Sequence, residues 1–169
     1  ALTTLAPAVL AGRPAQAEII TGEVTLTADR SIAAETVDVR GTLIGDAHDV
    51  TLQPDGALIV GNATDAGTVS GVGQLDNAGA VSVAAGSSAE AGTTTNRAGG
   101  TLNVDAGHVL ATSGAAGTVN TGTANIAGRL TGGLTNTAGA TTALRAGSQI
   151  EGTLVNQLGG TVTGSAQLS

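Results

Sequence analysis

The chain has 169 residues, is 41 % hydrophobic and carries a formal charge of −7 from six Arg and thirteen acids. Phe, Tyr, Trp, Met, Cys and Lys are all absent. That composition excludes a disulfide scaffold, a lysine-bearing phosphate loop and a core plugged with aromatic bulk. It argues against nucleic acid as a partner, since there is no basic stripe to neutralise phosphates.

Residues 1–17 differ from the rest, an apolar run closing on Ala15-Gln-Ala17. A small-x-small ending is what signal peptidase reads, so this stretch is expected to be the tail of an export signal, placing the protein outside the cell. The alternative is a retained apolar arm that caps the first coil or docks on a neighbour. No transmembrane segment is expected, because no run reaches the ~18 uninterrupted apolar residues a spanning helix needs.

Residues 18–70 hold nine of the thirteen acids, Glu18 to Asp65, and Asp76 just beyond is the tenth, an acidic front that anionic lipid would repel. Here Val24 and Leu26, Val37 and Val39, Val50 and Leu52, and Leu58 and Val60 each sit two apart. Period-two apolarity puts each pair on one face of a short strand. Turn signals separate them, at Arg40-Gly41 and Pro54-Asp55-Gly56. The same alternation continues at Val81 and Val83 and at Leu102 and Val104, and Gly, Thr and Val are too frequent for a helix. Strands of three to five residues are expected, with corners every six to eight.

Residues 71–169 are nearly uncharged and repeat. Gly73-Gln-Leu-Asp-Asn77, Gly92-Thr-Thr-Thr-Asn96, Gly132-Gly-Leu-Thr-Asn136 and Gly152-Thr-Leu-Val-Asn156 begin 19, 40 and 20 residues apart. Gly117-Thr-Val-Asn120 fills the double gap as a degenerate copy. A fixed period of this length means one supersecondary unit stacked on itself. The expected fold is an all-β parallel β-solenoid of about twenty residues per coil, seven or eight coils in a rod roughly 35 Å long. Like then lies on like: Leu75, Leu134 and Leu154 inside, and Asn77, Asn96, Asn136 and Asn156 in one column. Asparagine suits such a ladder because its amide both donates and accepts, and it tolerates a left-handed corner.

The run Gly-x-Leu-x-Asn followed by x-Ala-Gly resembles passenger repeats of Gram-negative autotransporters and of filamentous-haemagglutinin-type adhesins. The resemblance covers residues 71–169 clearly and 18–70 loosely. It implies a right-handed β-helix at the cell surface that serves in adhesion, in aggregation or as a stalk. The membrane barrel of that family has no counterpart here, since no ten-residue strands with aromatic girdles occur. Gly41-Thr-Leu-Ile-Gly45 is also similar to steps of bactofilins, polymer-forming solenoids.

Solenoids can be polysaccharide-active enzymes, working with paired acids in a groove. The weak candidate for such a site is Asp46, His48 and Asp49, with Arg40 upstream and Asp55 beyond. The competing reading makes them solvated corner residues and His108 an exposed edge residue. Gly71-Val-Gly73-Gln-Leu-Asp76 fails as a dinucleotide fingerprint, because no helix follows. Two His without Cys build no zinc site unaided, so no metal or cofactor is expected. Asn62-Ala-Thr64 is a formal glycosylation sequon. The leading expectation is a non-enzymatic surface protein. It either assembles head to tail into a filament or sheath, or projects as a stalk that meets a host receptor or glycan. A phage tail-fibre segment is the further alternative.

Overall fold

The computed structural model describes residues 17–84 and 86–169, and every regular element among them is a β-strand. The reading of residues 1–16 as signal or arm lies outside the described residues; Ala17 opens the first strand.

The strands stack in three faces. Face one carries Ala17–Ile20, Thr36–Val39, Ala57–Val60, Ala80–Val83, Thr101–Val104, Thr123–Ile126, Thr141–Leu144 and Thr161–Gly164, one per winding. Each is parallel to the next, with four paired residues and no register shift. Face two begins with Glu23–Thr25 and Thr42–Ile44, and ends with Gln149–Glu151 and Gln167–Leu168. Face three begins with Arg30–Ile32 and Val50–Leu52, and ends with Leu134–Asn136 and Leu154–Asn156. The result is a parallel β-solenoid of about 8 turns, with coils about 20 residues apart. One coil cannot cover its own apolar face, so stability comes only with stacking.

The period-two pairs point inward as their spacing requires. Val37, Leu58, Val81 and Leu102 form one internal column, and Val39, Val60, Val83 and Val104 a second, each at most 1 % exposed. Full burial of a Val or Leu is worth about 1.5–3 kcal/mol, so several per winding hold the rod.

Two strands are longer than the expected three to five residues. Thr68–Asn77 has ten and Ser88–Asn96 has nine, and both run through the corner between faces two and three. Gly71 adopts φ 64° there, which bends the chain where a Cβ would be strained. The pairing of the two strands resumes after an irregularity between Ala89 and Ala91. The corner thus bends without ending the ladder.

The first winding ends the interior differently. Glu18 pairs in register with Val37, and Arg30 with Val50, so both stand where later windings place core residues. Arg30 donates to Glu18 at 2.5 Å and lies 3.9 Å from Glu35. An ion pair thus stands in the first described winding where the next carries Val37 and Val50, charge of the kind that discourages strand addition. The hydrogen bond from Arg30 holds the Glu18 carboxyl below its ordinary range. A carboxyl lowered by folding stabilises at neutral pH, and that contribution fades as pH falls through its folded value. The pair is exposed, so the effect is small, about 0.5 kcal/mol. Urea midpoints should therefore fall more for the wild type than for Glu18→Gln between about pH 5 and pH 3. Parallel pH curves would remove this role.

Thr94 and Thr118 are in register on face three, 1 % and 0 % exposed, and neither hydroxyl has a hydrogen-bond partner. An unmet buried hydroxyl costs about 1 kcal/mol or more. The double change Thr94→Val and Thr118→Val keeps the shape and is expected to stabilise by about 1–2 kcal/mol in urea unfolding. A loss of stability would mean that the hydroxyls are satisfied in the folded protein.

Candidate functional site

The asparagine column is the most ordered polar feature. Asn77, Asn96, Asn120, Asn136 and Asn156 occupy the last position of successive face-three strands. The same position is Ile32 and Leu52 in the first two windings. Each Nδ2 donates to the next Oδ1, at 2.7, 2.7, 2.9 and 2.8 Å. Each also donates to a backbone carbonyl of the next winding, from Thr101, Thr123, Thr141 or Thr161. The first four asparagines are 0 % exposed; Asn156, in the seventh winding, is exposed. Asn120, the degenerate copy, is in register with Asn96 and Asn136.

The asparagines do not make the corners left-handed, as their tolerance of that conformation led one to expect. None of these asparagines has positive φ; the left-handed residues are glycines such as Gly99, Gly139 and Gly159, three places later. Asn is here for its inward amide, which meets backbone groups that an aliphatic side chain would leave to themselves. A second, outward ladder was not foreseen. Asn125 donates to Asn103 at 2.9 Å, and Asn103 to the Ser82 hydroxyl at 3.3 Å. Its signal was the spacing of 22 and 21 residues between those polar positions.

Asp46, His48 and Asp49 lie at the corner between faces two and three in the second winding. Asp46 and Ala47 have φ 49° and 66°, so the loop turns sharply through Asp46. His48 Nδ1 lies 3.4 Å from Asp29 Oδ1, one winding earlier. The same Asp29 oxygen accepts the Asp49 N–H at 3.0 Å, and Asp49 Oδ1 accepts the Gln74 N–H at 2.8 Å. Each aspartate therefore holds a backbone amide one winding ahead. The Asp49 N–H and then His48 keep the Asp29 carboxyl below its ordinary range. Asp29, missed in the sequence, sits 20 residues before Asp49, and the coil period alone could have found it. Arg40 is elsewhere, donating to Asp38 at 2.7 Å, and Asp55 is exposed in a turn. The geometry is one of corner bracing, with Asp29 74 % exposed in its side chain, rather than of two acids facing across a groove.

His108 is not a bare edge residue, because its Nδ1 accepts the Gly86 N–H at 2.7 Å. Among the described residues no group of three or more His, Asp or Glu is placed to hold a metal ion, and no helix is long and apolar enough to cross a membrane. The fold defines the chain as a parallel β-solenoid of stacked repeats. No family model, curated protein or solved structure matches it.

Proposed function

We propose that the protein is a non-enzymatic structural solenoid of the cell surface, a stiff rod that holds other parts of a surface assembly at a distance. The observation that carries this reading is the unbroken register of eight face-one strands running beside a five-membered asparagine ladder whose first four members are buried. Such an axis resists bending, because each winding is tied to the next by backbone and side-chain bonds. The resemblance of the Gly-x-Leu-x-Asn repeats to autotransporter and adhesin passengers supports the surface location. So does the Ala15-Gln-Ala17 pattern.

Between stalk and filament, the Glu18–Arg30 pair favours the stalk. A strand laid over the first described winding would desolvate that pair, which costs several kcal/mol unless new partners are supplied. Electron micrographs and small-angle scattering of the purified protein test this. The expected particle is a monomeric rod whose solenoid is about 35 Å long. Long fibres would establish head-to-tail assembly instead, and a groove-dependent turnover of polysaccharide would overturn the non-enzymatic reading.

A further inference from the structure

The corners between faces one and two differ in length. In the fifth winding the corner spans residues 105–108, in the sixth only 127–128, and in the seventh 145–148. A two-residue corner between two four-residue corners leaves a notch. It forms a cavity of about 310 Å³ lined by Gly107, His108, Gly128, Arg129, Gly147 and Gln149. We propose that this notch binds a small carboxylate-bearing ligand of about the size of one sugar ring, an activity beyond the structural role.

The donors decide the ligand's chemistry. The Gly86 N–H lies 2.7 Å from His108 Nδ1 and 3.4 Å from Nε2, and the imidazole, which carries one N–H in either neutral tautomer, lines the notch with Arg129. Arg129 gives Nε to Glu151 at 2.8 Å and Nη2 to the same carboxylate at 2.9 Å. Its Nη1 edge is left for another acceptor. One free guanidinium edge beside one imidazole N–H fits one planar carboxylate. A dianion would meet Glu151 with no second cation in the lining. Gln149 donates to Gln167 only at 3.4 Å, and its carbonyl can accept a ligand hydroxyl. Side chains at Gly107 and Gly147 would meet no neighbouring atom within 4 Å, so glycine there keeps the walls low and the cavity open. The volume lies at the lower end of the ~300–1000 Å³ of ligand sites, which suits one ring and not a chain of them. Without aromatic walls the affinity should be weak, with Kd of about a millimolar.

The test is a titration of the full ¹⁵N-labelled protein at neutral pH with sodium D-glucuronate, D-glucose and sodium acetate, read on backbone amide shifts. Glucuronate should give saturable shifts centred on residues 107–109, 128–129 and 147–149. Glucose should give none, and acetate the same residues at lower affinity. Arg129→Gln should weaken glucuronate binding about tenfold or more. Gly107→Asn, whose side chain enters the notch from a position that tolerates Asn, should block it while leaving the remaining amide shifts in place. No saturable shift at these residues up to tens of millimolar (~30 mM, far above the expected Kd) would overturn the proposal. So would binding that survives both substitutions, or glucose binding as well as glucuronate.

Discussion

Replacing Asn120 with Leu is expected to cost about 3 kcal/mol of stability. The slot itself accepts an aliphatic, since Ile32 and Leu52 fill the equivalent position in the first two windings. The loss is therefore one of hydrogen bonds. Asn120 Oδ1 accepts from Asn96 and from the Gly122 N–H, and the two Nδ2 hydrogens serve Asn136 and the Thr141 carbonyl, with the Thr142 hydroxyl sharing one of them. Some of these partners keep a second bond, but the Gly122 N–H and one acceptor site on Asn136 are left short in a dry interior, each at about 1–3 kcal/mol. Asn156→Leu is the internal control: exposed, it should cost less than about 1 kcal/mol. Equilibrium urea unfolding of the two variants separates the cases. Equal, small losses would mean that the ladder is ornamental to stability.

Gly132→Val is expected to prevent folding, through a loss of about 4 kcal/mol or more. Gly132 sits at φ 89°, a region that costs an L side chain about 1–2 kcal/mol. A Cβ there would also run into the carbonyl oxygen and the hydroxyl of Thr112 in the winding before. Neither can retreat freely. The Thr112 hydroxyl donates to the Thr131 carbonyl at 2.8 Å, and its strand is paired with Arg129–Thr131. Gly107→Ala makes the comparison, since φ is 82° but the added Cβ meets nothing within 4 Å. It should show only the conformational cost, about 1–2 kcal/mol. Soluble yield and the circular-dichroism melting curve read both. A folded Gly132→Val protein would show that the corner is looser than its packing implies.

Much of the fold was legible because a solenoid writes its tertiary contacts as a sequence period. Leu75 and Leu134 are buried at 3 % and 1 %, as their place in the repeat predicts, and Asn120 joins the column despite its shifted turn. What stayed hidden depends on corners. Nothing local distinguishes Gly71, where the strand continues around a bend, from glycines that end a strand, because the difference is made by the neighbouring winding. The reasons for the asparagines were equally non-local: their carbonyl partners lie more than twenty residues away. The Asp46, His48 and Asp49 group looked like a chemical cluster in one dimension. In three, the partners that matter are Asp29 and Gln74, one winding to either side. The notch at Arg129 was unreadable for a related reason, since it arises from the difference between three corner lengths and not from any one motif.

Windings stacked in register along one axis fix the spacing of equivalent residues, and spin-label distances test that directly. The chain has no native Cys, so labels can be placed at will on outward face-one positions. Thr36, Thr101, Thr123, Thr141 and Thr161 are the equivalent first residues of their strands. From Thr36 they lie three, four, five and six windings away, so the separations should rise as about 14, 19, 24 and 29 Å. A steady increment of about 4.8 Å per winding is the expected result. Distances that plateau, reverse or scatter along that series would contradict the solenoid and the rod-like role built on it.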